Sequence, residues 1–215
     1  MMIAENAAWE IYAVNRRLAH TINILSDLCI AGHPFTLNAE HFDMCQQAGF
    51  TALRLPIQWV KQMAKSSPFT VAPAFFERVD GAVAQAEKRG MALILDNHLD
   101  PELMANPLVH RDRFLALWQQ LADHYQAASP DILFEVLAEP IQNLEPLWNE
   151  YFAQALSVIR ESNPTRAVIV GPTHYNNLQR LHTLQLPESD RYLIATFHQY
   201  YPVEFTMQGE MWLPE

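Results

Sequence analysis

Short, almost wholly apolar runs recur along the chain, and between them lie longer stretches in which apolar residues return every three or four positions. The runs at 20–25, 51–56, 91–96, 132–137, 167–171 and 193–198 predict strands, the first of them weakly. Apolar runs without alternation suit parallel strands covered by helices. The intervening stretches predict helices over 37–49, 72–90, 111–126 and 144–162, with a short one around 176–182. In the first helix Asn38 is placed to cap, Phe42, Cys45 and Ala48 form the apolar stripe, and Gly49 ends it. Phe76, Val79, Val83 and Ala86 stripe the second, which Gly90 stops. Phe114, Leu117, Trp118, Leu121 and Tyr125 stripe the third, and Leu147, Trp148, Tyr151, Phe152, Ala155 and Ile159 the fourth.

A spacing of about 25–40 residues between strands is that of strand–helix units. Two α/β architectures fit: a doubly wound sheet and a (β/α) barrel. A complete barrel needs eight strands in about 250 residues, and six are legible here. No repeat, low-complexity segment or linker interrupts residues 1–215, which read as a single domain.

Polar residues collect where the apolar runs end. Arg54 lies on the second strand, Asp96, Asn97 and His98 end the third, Glu139 follows the fourth, and His198 and Tyr200 follow the sixth. Barrels and open sheets both build their sites from these ends, so the pattern locates a site without choosing the fold. The fourth run, Asp131 to Pro140, is the most telling. It carries Glu135 in its apolar middle and Glu139 at its end, four residues apart and therefore on one face if strand alternation holds. A buried glutamate needs a partner, and Arg54 on a nearby strand is the natural one. Glu135 reads as that counter-ion, and Glu139 as the group placed to react, its pKa raised by an apolar surround.

The chain has 215 residues, half of them hydrophobic, enough for one sizeable core. A net charge of −10 without a basic patch excludes a nucleic-acid surface and suits a polar or neutral ligand. Cys29 and Cys45 form no metal-binding cluster and read as free core thiols. No run approaches the ~20 apolar residues of a membrane span. The N-terminus lacks a stretch of signal-peptide type, cytoplasmic at face value, or secreted if a leader was removed. Asp96, His98 and Asp100 have a spacing that permits metal ligation, but a lone Asp-x-His-x-Asp is weak, and no metal or cofactor is expected.

Five segments in order resemble glycoside hydrolase family 5, the cellulase and β-glucanase family: "GFTALRLPIQW", "ALILDNH", "ILFEVLAEP", "NPTRAVIVGP" and "LIATFHQYYPVEFTMQGEMW". The resemblance implies a (β/α)8 TIM barrel, here with about six of its eight units, and a retaining glycosidase acting on a β-linked glucan or related oligo- or polysaccharide. It implies Glu139 as general acid/base and Arg54 as the residue orienting the catalytic carboxylates. His98, His198 and Tyr200 would line the subsite of the attacked sugar, and Trp59 and Trp212 would offer faces to sugar rings.

Two departures stand out. Ala138 occupies the place of the family's asparagine, whose amide bonds the sugar 2-hydroxyl; such contacts supply several kcal/mol in the transition state. The family's nucleophile stands on a seventh strand, and the sequence ends at Glu215, after the sixth. Glu204 and Glu210 are stand-in candidates on the last loop, although each reads first as a solvated acid. Turnover is therefore in question, and a non-catalytic carbohydrate-binding remnant is the alternative. Six strands cannot close the barrel, so either a helix over 5–17 covers an opening or copies of the chain self-associate into a homo-oligomer.

Overall fold

A computed structural model describes residues 11–30 and 32–209. Its six strands form one parallel sheet in sequence order: β1 (Thr21–Asn23), β2 (Ala52–Ile57), β3 (Ala92–Asn97), β4 (Ile132–Glu135), β5 (Val168–Val170) and β6 (Leu193–Ala195). A sheet that keeps sequence order is the barrel solution, since a doubly wound sheet must reverse. The helices are α1 (residues 11–17), α2 (Ala39–Gln47), α3 (Pro73–Arg89), α4 (Pro101–Ala105), α5 (Pro107–His124) and α6 (Trp148–Ser162).

Side-chain alternation sorts the strands onto two faces. Leu53, Leu55, Leu93, Leu95, Phe134 and Val168 point outward and join the main core under the helices. Ala52, Ala92, Ile94, Leu133, Ala167 and Ile169 point inward and form a smaller cluster. Ile11, Val14 and Leu18 pack against that inner cluster, so α1 occupies the N-terminal end of the sheet. Arg17 anchors it there by pairing with Asp131 and donating to the Gly90 carbonyl. The expected N-terminal helix thus exists over 11–17, and its earlier part lies outside the described residues.

Local chemistry explains where the elements depart from the sequence reading. The capping box at Asn38 is present, but α2 ends at Gln47 and leaves Ala48 exposed as its C-cap, outside the stripe. The third predicted helix starts four residues early because Pro107 suits a first helical turn. The fourth begins as a 3-10 turn, Gln142–Leu147, because Pro146 has no N–H to give an α-helix. The short helix around 176–182 is a left-handed turn at 174–176 followed by a 3-10 turn, Leu178–Thr183. Strand β6 stops three residues before His198. Among the described residues, no helix is long and apolar enough to cross a membrane.

Candidate active site

The C-terminal ends of the strands carry a continuous polar array. Arg54 points inward from β2 and reaches up to β3 and β4. Its Nε and Nη2 donate to Glu135 Oε2 and Oε1 at 2.6 and 2.9 Å. Nη2 also lies 2.8 Å from Asp96 Oδ2, and Nη1 donates to Asn23 Oδ1 at 2.9 Å. Asp96 Oδ2 is shared with His98 Nδ1, also at 2.8 Å. Asp96 and Glu135 are buried, and register explains their meeting: the two residues are directly paired across β3 and β4.

Two buried carboxylates thus face one guanidinium. Burial works against the charge on Arg54, but Asp96 and Glu135 more than offset it and hold its pKa above the ordinary value. Burial, reinforced by Asp96, pushes Glu135 up against the pull of Arg54. The counter-ion role read for Glu135 matches these contacts. The part taken by Asp96 was not read from the sequence; its inward parity with Glu135 was the available signal.

Glu139 stands apart from this cluster. Strand β4 ends at Glu135, and the chain turns at Glu139, whose φ is 54°. A non-glycine residue in that left-handed region costs about 1–3 kcal/mol, and such strain gathers at functional sites. Glu139 Oε1 lies 2.6 Å from His198 Nδ1 and accepts from the Tyr200 hydroxyl at 2.9 Å. Among the described residues no hydrogen bond reaches Oε2.

The expected rise in the pKa of Glu139 is not what its surroundings produce. Burial is the largest single influence and pushes the carboxyl up. The hydrogen bonds of His198 and Tyr200, with the charge of His198 and His98, together outweigh it and hold Glu139 below the usual value. An apolar strand end was legible in the sequence; the two donors brought to it by the loop after β6 were not. Tyr200 responds in the opposite sense, pushed up to about 12 by burial and by the Glu139 charge.

Two cavities meet at this carboxylate. One, of about 650 Å³, is bounded by Arg54, His98, Glu135, Glu139, His198 and Tyr200 among others, and continues inward to Ile94 and Ile169. The other, of about 750 Å³, has Tyr175, Tyr200, Tyr201 and Met207 on its walls. Glu139, His198, Gln199 and Tyr200 line both. Arg54, His98, Glu139, His198 and Tyr200 are therefore brought together as read from the sequence.

Trp59 is not among them. It is fully buried between Phe75 and Phe76, with ring centroids 5.5 and 5.7 Å away, and has no face for a sugar. It opens the 3-10 turn Trp59–Gln62 and joins the main core rather than the mouth. Trp212 and Glu210 lie outside the described residues. Glu204 is exposed and lines neither cavity. Ala138 is buried, and its N–H donates to the Asn97 carbonyl at 3.1 Å.

The Asp96, His98 and Asp100 triplet does not converge. Asp100 instead caps α4 through the Leu103 N–H and pairs with Arg113. No group of three or more metal-ligating side chains comes together among the described residues. Cys29 and Cys45 are free thiols.

Comparison with known proteins gives one consistent result. The model of the family described as Cellulase (glycosyl hydrolase family 5) matches residues 20–212. Endoglucanase H of Acetivibrio thermocellus is 34% identical over 167 residues, 77% of this chain and 18% of that protein. Cellodextrinase A of Ruminococcus flavefaciens is 29% identical over 178 residues, 78% of this chain and 52% of that protein. The solved endoglucanase Cel5A of Thermotoga maritima superposes with a TM-score of 0.90 at 36% identity, covering 94% of this chain and 67% of that one. The chain thus spans from under a fifth to about half the length of these two curated relatives.

Proposed function

Since the chain belongs to glycosyl hydrolase family 5, we propose that its site takes a β-linked glucan or related β-glycan and that Glu139 is the general acid/base of a retaining cleavage. One observation carries this reading: Glu139 lines both cavities. A glycosidic oxygen at their junction has one sugar on each side and a carboxyl beside it. His198 and Tyr200 hold Oε1, which leaves Oε2 as the oxygen to carry the proton. His98 and Arg54 face the first sugar, and Tyr175 and Tyr201, both exposed in the second cavity, offer ring faces to the leaving sugar.

Retention requires a second carboxylate about 5–5.5 Å from the first. Among the described residues the only other carboxylate lining either cavity is Glu135, and both its oxygens are engaged by Arg54. That observation favours a second reading, in which these 215 residues alone bind sugar without turning it over. Ala138 points the same way, since it brings no amide to the sugar 2-hydroxyl. Among the described residues β1 and β6 are the edges of the sheet, each with a row of backbone groups facing no further strand. A second copy of the chain is proposed to cover them; light scattering that gives a monomer mass at micromolar concentration overturns this part.

Reducing-sugar release from carboxymethylcellulose, β-1,3-glucan and mannan tests the main reading, alongside calorimetric binding of cellotetraose. Release that disappears in a folded Glu139→Gln variant supports cleavage. Binding without release supports the second reading. Neither binding nor release of any of these glycans overturns both.

A further inference from the structure

Asn176 is fully buried at the end of a left-handed turn, with φ of 59°, 62° and 54° at His174, Tyr175 and Asn176. Three consecutive residues in that region are costly, and asparagine is among the side chains that tolerate it best. The turn is gripped at both ends by the site. The His174 N–H donates to the carbonyl of Pro140, next to Glu139, at 3.0 Å, and the Asn176 carbonyl accepts the His198 N–H at 2.8 Å. The Asn176 amide nitrogen lies 3.3 Å from His198 Nε2. Gly171 is what makes room for it: a Cβ at 171 would come within 2.4 Å of Asn176 Cγ and Oδ1.

The hydrogen-bonding roles follow from the donor inventory. An amide NH2 only donates, so His198 Nε2 accepts and carries no proton; the ring proton then sits on Nδ1 and is donated to Glu139 Oε1. Turning the amide over would present Oδ1 to the ring and require a proton on Nε2. With Glu139 ionised at Nδ1, that ring would be an imidazolium. The observed orientation leaves Oδ1 buried without a partner. Turning it over would strand the NH2 instead, and buried N–H groups are left orphaned more rarely than carbonyls.

We propose that Asn176 is a positioning residue that locks His198 as the neutral Nδ1–H tautomer, so that Glu139 receives a hydrogen bond without a full positive charge. The purpose is chemical. An imidazolium beside a carboxylate depresses it by about 1–3 pH units; a neutral Nδ1–H donor leaves out that charge and sets only the hydrogen bonds of His198 and Tyr200 and the charge of His98 against burial. A neutral ring orients Glu139 and relieves the part of its lowering that a charged His198 would supply. Tyr200, His98, Glu135 and Arg54 are the other titratable groups around the pair, and each acts on Glu139, on His198 or on both. The catalytic consequence rests on the role proposed for Glu139, whereas the tautomer does not.

Long-range proton–nitrogen NMR of the full chain, labelled at histidine, reads the tautomer without any turnover. At pH 7 the expected pattern for His198 is a protonated Nδ1 and a bare Nε2. Asn176→Asp replaces the donor with an acceptor and is expected to leave both nitrogens protonated. Asn176→Ala removes the donor, and Gly171→Ala displaces it with the asparagine intact; both are expected to release the ring into a mixture of tautomers. A wild-type His198 protonated at Nε2 overturns the proposal, and so does an unchanged nitrogen pattern in folded variants. If the variants do not fold, the wild-type spectrum alone decides. Absence of glycan cleavage, which would count against the reading of Glu139, leaves this pattern untouched.

Discussion

Two arginines, Arg166 buried and Arg54 part-buried, serve opposite ends of the sheet and are held in opposite ways. Arg54, at the C-terminal end, is bound by carboxylates: Glu135 through two bonds and Asp96 through a third. Arg166, at the N-terminal end, is bound by neutral oxygens alone. Its donors reach the carbonyls of Tyr125, Ala128, Ser129 and Ile132 and the side chain of Asn163. The carboxylates hold the pKa of Arg54 above its usual value, whereas burial pulls Arg166 down to about 10. Arg166 ties the end of α5 and the start of β4 to β5, with its polar capacity spent on four backbone carbonyls and one side-chain amide. At the other end two carboxylates face one cation, and the surplus acceptor capacity of Asp96 goes to His98 on the cavity wall. A clamp that satisfies backbone serves stability; a cluster with charge to spare serves chemistry.

The sharpest way to break this contrast is to remove each arginine. Arg166→Met is expected to destabilise the chain most, by about 3–5 kcal/mol, because several buried carbonyls lose their donor at once. Denaturant unfolding measures it, and the loss should change little between pH 5 and 8. Arg54→Met is expected to cost about 3 kcal/mol at pH 7 by leaving buried Glu135 unpaired and buried Asp96 with His98 alone. This deficit should depend on pH. Without the guanidinium nothing comparable opposes the rise of Glu135, the folded chain binds a proton more readily than the unfolded one, and stability recovers as pH falls toward 4. A deficit of equal size at pH 4 and 7 would remove the distinction between the two ends. As a control, Glu135→Gln leaves Arg54 balanced by Asp96 and is expected to change stability by only about 1 kcal/mol.

The smallest effect concerns Glu139, held below its usual value in the folded chain. The sign follows from linkage. A depressed carboxylate contributes stability above its unfolded pKa, near 4.3, and loses it as pH falls through the lower folded value. Wild type should therefore exceed Glu139→Gln in stability at pH 7 and converge with it near pH 3. Convergence from the other direction, with the variant more stable at pH 7, would show that burial rather than His198 and Tyr200 governs this carboxyl.

Much of the fold was legible because it rests on local rules. The stripe Phe114, Leu117, Trp118, Leu121 and Tyr125 is buried as read, and so is the next, Trp148, Tyr151, Phe152, Ala155 and Ile159, apart from half-buried Leu147. The gathering of His98, Glu139, His198 and Tyr200 followed from one regularity, that polar residues mark strand ends, and Arg54 joins them from mid-strand by its inward side chain. The failures share a cause as well. Trp59 stands at a strand end and is nevertheless core, since hydrophobicity does not reveal which way a side chain turns after the last strand residue. Asn176 was hidden inside a predicted helix because its turn is held by the bonds of His174 to Pro140 and of Asn176 to His198, both distant in the chain.

The order of apolar runs and helical stripes determined by itself that strands would be parallel, helix-covered and polar at one end, because period and burial are written in neighbouring residues. Tertiary structure alone decided which influences act on the carboxyl of Glu139. Whether Glu139 is raised or lowered depends on two donors about sixty positions further along the chain, and the electrostatics of a carboxyl are governed by distance in space.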